Sequence, residues 1–256
     1  MLSYQHHYHA GNAADVHKHA VLAWVLEYLT RKPKPLSYIE THAGRGLYDL
    51  GAPEALRTGE AAAGIGRLES RLPPGHPYRR ALDAVRRARG ADAYPGSPAL
   101  AAELLRPGDP MHLAELHPAE GAALAEAMAH RARIHAADGI ATAFALCPPV
   151  PRRGLLLIDP SWEIKSDYAA MPGTLRKLHR AWNVGVLMLW YPLLRDARHA
   201  SMLAALEALD LPGALRLEAR FSQVREGHNM TGSGLFVVNA PWGLAEQARD
   251  LARLLQ

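Results

Sequence analysis

From residue 111 to the end of the chain, short apolar runs alternate with helix-length stretches. Strand-like runs occupy residues 111–116, 134–137, 155–158, 184–190, 214–221 and 235–239. Helix-like runs lie between them at 119–133, 168–180 and 196–209, and 244–255 closes the chain. Strands that alternate with helices predict a parallel sheet covered by helices on both faces. Such sheets bind ligands at the carboxyl ends of their strands. The residues that follow each apolar run are therefore the candidates for chemistry.

Upstream, residues 15–29 read as a helix with Val16, Ala20, Ala23 and Val25 on its apolar side, stopped by Pro33. Residues 36–40 read as a strand that runs into Thr41-His42-Ala43-Gly44-Arg45-Gly46. The segment 47–95 breaks the rhythm. It holds Pro53, Pro73, Pro74 and Pro77 between helix-like stretches at 61–71 and 77–89, and reads as a helical insertion between 1–46 and 96–256. Eight arginines, Arg86 and Arg87 among them, face six carboxylates there, which suits a polyanionic partner.

Composition narrows the class. A length of 256 residues suits one large α/β domain, or one domain with an insertion. Hydrophobic residues at 49% allow a substantial core, and 21% charged residues argue against bulk disorder. The net charge of +4 is a modest basic excess. One cysteine, Cys147, rules out an intrachain disulfide. No apolar run resembles a signal peptide or spans a bilayer, so the expectation is a soluble cytoplasmic protein.

Four positions at strand ends carry candidate chemistry. Gly44-x-Gly46 allows a sharp turn and close backbone approach to a ligand; without a third glycine it also serves as an ordinary strand-to-loop turn. Asp159-Pro160-Ser161-Trp162 follows the apolar run Gly154-Leu155-Leu156-Leu157-Ile158. An exocyclic adenine amine is a poor nucleophile, because its lone pair is delocalised into the ring. Asp159 and a backbone carbonyl beside Pro160 can accept its two N–H groups, and Trp162 can stack on the base for about 1–3 kcal/mol. The same residues also read as a strand end capped by Asp in a turn. Glu115, after the run ending in Ala114, stands where an acidic residue commonly bonds a ribose hydroxyl. Asp138-Gly139 follows another run and also reads as a solvated loop. The histidines His6, His7, His9, His17 and His19 raise the question of zinc, but no cysteine pair or His-Glu-x-x-His accompanies them, and no metal is expected.

Taken together the residues resemble the RlmJ family, bacterial large-subunit ribosomal RNA adenine-N6 methyltransferases. The likeness begins with Met1-Leu2-Ser3-Tyr4, His9-Ala10-Gly11-Asn12, Ala14-Asp15-Val16 and Lys18-His19. It continues through Thr41-His42-Ala43-Gly44, Thr58-Gly59-Glu60, Tyr94-Pro95-Gly96-Ser97-Pro98 and Glu115-Leu116-His117-Pro118. Asp138-Gly139, Leu157-Ile158-Asp159-Pro160, Leu189-Trp190-Tyr191-Pro192 and Met230-Thr231-x-Ser233-Gly234 extend it over nearly the whole chain. The resemblance implies a class I (Rossmann-like) methyltransferase fold with a small helical insertion, and S-adenosylmethionine as cofactor. It implies cofactor contacts at Lys18, His19, His42, Ser97, Glu115, Asp138, Gly139 and Asp159, with Gly44 beside them. Asp159 would also orient the adenine amine, and Tyr4 would lie near the substrate nucleotide. The expected substrate is 23S ribosomal RNA, naked or in an assembling particle, bound by a monomer through Trp162, Arg86 and Arg87. Adenine-N6 enzymes usually carry Asp-Pro-Pro before the aromatic residue; Ser161 replaces the second proline here. That departure keeps open a non-catalytic RNA-binding or assembly protein on the same fold. A DNA adenine-N6 methyltransferase is the other alternative.

Overall fold

The computed structural model describes residues 6–221 and 229–255. In chain order the strands are β1 (Ser37–Glu40), β2 (Leu47–Asp49), β3 (Ala93–Pro95), β4 (Met111–Ala114), β5 (Arg133–His135), β6 (Gly154–Ile158), β7 (Val186–Leu194), β8 (Leu215–Arg220) and β9 (Met230–Val238). The helices are α1 (Ala13–Thr30), α2 (Pro53–Thr58), α3 (Pro77–Arg89), α4 (Ser97–Leu104), α5 (Pro118–Ala127), α6 (Gly139–Leu146), α7 (Ser166–Ala181), α8 (His199–Glu207) and α9 (Leu244–Leu254).

Seven strands form one sheet in the order β5-β4-β1-β6-β7-β9-β8. The first five are parallel, whereas β9 runs antiparallel to both β7 and β8. This corrects the all-parallel expectation. A parallel connection needs a crossover of roughly a dozen residues or more, and the link from Arg220 to Met230 is too short for one. Six strands thus share one direction, with the reversed strand β9 inserted beside the edge strand β8, the class I, Rossmann-like methyltransferase arrangement. Each face of the sheet has its own core: β6 sends Leu155 and Leu157 toward α1, α4 and α9, and Leu156 and Ile158 toward α7 and α8. All five β6 residues are buried, which explains its unbroken apolar sequence.

Helix α1 precedes the first strand and is enclosed. Asn12 caps it by accepting the Asp15 N–H at 2.9 Å. Thirteen of its eighteen residues are buried, against α3, α4, α9 and β9. Asp15, His17, Lys18 and His19 are among them, and burial of such groups is costly unless partners offset it.

The segment 47–95 is closed at its base by β2 and β3, which pair antiparallel with Tyr48 opposite Tyr94. The stretch 61–71, expected to be helical, is instead a π turn at Ala62–Gly66 and a 3-10 turn at Glu69–Arg71. Gly64 leaves the helical backbone there, and only glycine fits, because a Cβ would meet the Gly11 carbonyl oxygen at 2.1 Å. Ile65, Leu68, Leu72, Tyr78 and Leu82 pack into the same core as α1, so the segment braces that helix. The short helices α2, α4 and α6 lack an amphipathic signature and are not predicted by periodicity.

Candidate active site

The carboxyl ends of β1, β4 and β6 and the start of α1 surround a cavity of about 920 Å³. The turn after β1 is built on glycine. Gly44 has φ +60° and Gly46 φ +77°, and a Cβ on Gly44 would lie 2.6 Å from Tyr48 Oη. Glu115 braces this turn: its Oε2 accepts the Gly44 N–H at 2.8 Å and its Oε1 the His117 N–H at 2.7 Å. Asp138 is exposed and caps α6 by accepting the Ala141 N–H at 2.7 Å. Gly139 has a steric reason of its own, since a Cβ there would meet the Thr41 carbonyl oxygen at 1.7 Å. The start of α6 thus presses directly on the end of β1. His42 shares a 2.7 Å hydrogen bond with Thr41 Oγ1, and burial lowers its pKa.

Asp159, the first residue after β6, is held from α1. Lys18 Nζ donates to Asp159 Oδ2 at 2.7 Å and reaches Asp15 Oδ1 at 3.1 Å. Burial alone would lower the Lys18 pKa, but the two carboxylates outweigh it and push it well above the lysine value. The ammonium also sits 5.6 Å from the Trp190 ring centre. Trp190 in turn donates its indole N–H to Ser233 Oγ at 2.9 Å, and the Trp190 carbonyl accepts the Trp162 N–H at 3.2 Å. Trp162 has φ +60°, rare for a bulky residue and typical of strained turns at functional sites. Only 4% of Trp162 is exposed, and Tyr168 lies 4.5 Å from it, ring centre to ring centre. The indole is therefore packed into the wall of the cavity.

All eleven residues proposed from sequence as catalytic or cofactor-binding line this one cavity. Two more of them bond within the protein. His19, buried so that its pKa falls to about 3, bonds Tyr94 Oη at 3.1 Å. Ser97 Oγ donates to Glu40. Arg86 and Arg87 are not brought to the cavity. Arg86 donates to both Glu69 oxygens at 2.7 Å within the 47–95 segment. Arg198 lines the cavity in their place and pairs with Asp196. Tyr4 lies outside the described residues. The histidines find protein partners: His6 bonds Asp15 at 2.9 Å, His9 bonds Glu60 at 3.0 Å and His17 bonds Ser233 at 3.0 Å.

Sequence reasoning missed Asp15, Glu40 and Trp190. Asp15 and Lys18 are one helical turn apart, a spacing that places them on one face, and that was the available signal. Glu40 is fully buried; burial raises its pKa to about 8, with Tyr38 Oη donating to it at 2.8 Å. Its place inside an apolar strand was the clue.

Comparison with known proteins identifies the family. The family model described as "RsmJ: Ribosomal RNA large subunit methyltransferase D, RlmJ" matches residues 33–256. The chain is 40% identical over 256 residues to the ribosomal RNA large subunit methyltransferase J of Escherichia coli (strain K12), covering 98% of this chain and 91% of that protein. The protein of the same name from Haemophilus influenzae is 35% identical over 257 residues, covering 98% and 92%. A crystal structure of a Legionella pneumophila protein superposes with a TM-score of 0.85 at 33% identity, covering 96% of this chain and 92% of that one. With a family model spanning most of its length and relatives aligned from end to end, the chain belongs to the RlmJ family of ribosomal RNA large subunit methyltransferases.

Proposed function

We propose that the chain transfers a methyl group from S-adenosylmethionine to the N6 amine of an adenine in 23S ribosomal RNA. The observation that carries this reading is the setting of Asp159. Lys18 occupies its Oδ2, and no donor among the described residues reaches its Oδ1. Asp159 therefore lines the cavity at the end of the central strand β6 with one oxygen left to accept. The printed names of the Escherichia coli and Haemophilus influenzae relatives support the ribosomal RNA substrate.

The cavity fits a cationic cofactor. Among the described residues, eight Asp and Glu side chains line it against one lysine and one arginine. An acidic lining attracts a positive ligand and opposes a phosphate-bearing one such as a dinucleotide. When bound, S-adenosylmethionine supplies a methyl group made electrophilic by its sulfonium. In this reading Glu115 takes the ribose, and the glycine turn at Gly44 lets the backbone come close. Lys18, His19, His42, Ser97, Asp138 and Gly139 complete the proposed cofactor shell.

Asp159 Oδ1 accepts one N6–H of the adenine and the Pro160 carbonyl accepts the other. These bonds turn the nitrogen lone pair out of conjugation and toward the methyl donor. Trp162 and Tyr168 wall the base and exclude water, which strengthens both hydrogen bonds. The protein thus contributes alignment and electrostatics.

The test is methylation of unmodified 23S ribosomal RNA, of DNA and of neither, with labelled methyl donor. The expected outcome is label on adenine N6 of the RNA alone. Asp159→Ala should lower turnover by about 10²–10³-fold or more while the fold persists. Full activity in that variant would remove the assignment, and preferential labelling of DNA would change the substrate.

A further inference from the structure

We infer that Asp15 is a positioning residue for methyl transfer, fixing Asp159 through Lys18 and tying that alignment to the chain that enters α1. The inference rests on the role proposed above for Asp159.

Asp15 is 2% exposed, in the first turn of α1. Every hydrogen bond it accepts through its side chain comes from a group whose position matters to the cavity. Its Oδ1 faces Lys18 Nζ at 3.1 Å and, more distantly, His19 Nε2 at 4.0 Å. Its Oδ2 accepts the Gly11 N–H at 3.0 Å and a ring N–H of His6 at 2.9 Å. Both oxygens therefore point at donors. Burial opposes its ionisation, but His6, Lys18 and His19 outweigh that and hold its carboxyl well below the usual range.

The geometry places Lys18 between two carboxylates, at 2.7 Å from Asp159 and 3.1 Å from Asp15. A lysine stem has four rotatable bonds, and one ion pair leaves it able to swing. A second carboxylate on its own helix pins the ammonium, and the pinned ammonium fixes which Asp159 oxygen is covered and which remains for the adenine. The other half of Asp15 closes the turn at Gly11. Gly11 has φ +78°, and its carbonyl accepts the Ile65 N–H at 2.8 Å. One side chain thus links the entry to α1, the 47–95 segment and the proposed catalytic carboxylate.

The arrangement requires a carboxylate. An amide at this position offers one oxygen and one NH₂. Either rotamer aims that NH₂ at a donor, at Lys18 or at the Gly11 N–H, and leaves one of them unpaired. Asp15→Asn is therefore nearly isosteric yet disruptive to the alignment.

The experiment is a double-mutant cycle with Asp15→Asn and Lys18→Ala, read by single-turnover methylation of 23S ribosomal RNA, with melting curves as a control for folding. Asp15→Asn is expected to lower the rate at saturating substrate at least about tenfold while the apparent RNA KM changes by less than about threefold. The double variant is expected to be no slower than the slower single variant, because both act through one linkage. Undiminished turnover in Asp15→Asn overturns the inference, and so do losses that multiply in the double variant. Asp15→Ser, which leaves room for water beside the Gly11 N–H, enters the same cycle should the amide variant not fold. The Asp159→Ala arm separates the two levels. Activity there removes the proposed role of Asp159, whereas an inactive Asp159→Ala beside a fully active Asp15→Asn removes only the role of Asp15.

Discussion

The two ends of the central sheet use charge in opposite ways. At the amino ends of β1, β4 and β6, arginines are spent on the backbone. Arg106 donates to the Lys32 and Lys34 carbonyls at 3.0 and 2.7 Å and to Asp109 at 2.9 Å. Arg131 covers the Asp109 and Arg106 carbonyls, both at 3.1 Å, and Arg153 covers those of Lys34 and Leu29. Asp109 itself accepts the Leu36 N–H at 3.0 Å. At the carboxyl ends, carboxylates line an open cavity and several keep capacity for a ligand. The net basic charge of the chain therefore does not mark its chemistry: the cations seal loops, and the anions make the proposed site.

That contrast can be broken experimentally. The largest effect in this set is expected at Glu115. Glu115→Ala removes the acceptor proposed for the ribose and unpairs the Gly44 and His117 N–H groups. Hydrogen bonds to a charged group are worth about 1.5–3 kcal/mol, so calorimetry should show cofactor affinity falling more than about tenfold. An unchanged affinity would place the ribose elsewhere. At the other end, Arg106→Ala should cost about 1–3 kcal/mol in denaturant unfolding and leave cofactor affinity alone. A parallel loss of affinity would show that the two ends are not independent.

Glu40 tests the boundary between them. Its folded pKa of about 8 lies above the ordinary 4.5, so between those values the native state holds a proton that the unfolded chain has released. The resulting stabilisation is present at low pH and is lost as pH rises from about 4.5 to about 8, with a slope of at most about 1.4 kcal/mol per pH unit. Glu40→Gln mimics the protonated acid, with Tyr38 donating to its oxygen and its NH₂ directed at Ser97. Denaturation midpoints across pH 5–8 should be flatter in this variant, and an unaltered slope would mean that Glu40 is not the group responsible. The smallest effect is expected for Ser161→Pro. Ser161 is not among the residues of positive φ, and among the described residues its N–H donates to no backbone acceptor. Proline fits on both counts and should add about 0.4–1 kcal/mol through the unfolded chain with activity retained. Collapse of activity would mean that the serine shapes the turn.

Much of this was legible from sequence because the signals were local. Unbroken apolar runs such as 154–158 mark buried strands, and the residues just beyond them, Asp159 and Glu115, fall at the cavity. What stayed hidden depends on distant partners. The reversal of β9 follows from a short connection rather than from any residue within it. The burial of Trp162 comes from Tyr168 and the Trp190 carbonyl. The pairing of Arg86 with Glu69, seventeen residues away, has no signal in the spacing of the two residues. Asp15 stands in a quoted motif without a role, since its three donors, Gly11, His6 and Lys18, converge only in three dimensions.

The hydrogen bond between His17 and Ser233 spans 216 residues, and it bears on how the protein is born. The residues proposed to touch cofactor all lie between Lys18 and Asp159, so the first 159 of 256 residues encode them. Yet the helix that carries Lys18 is seated by Trp190 and Ser233, on β7 and β9. Contacts of such separation form late, after the intervening chain has been made. During synthesis the nascent chain holds its first functional residues unfinished until β9 has left the ribosome. A polypeptide released before Met230 would carry every proposed cofactor residue and still lack the bed on which α1 rests.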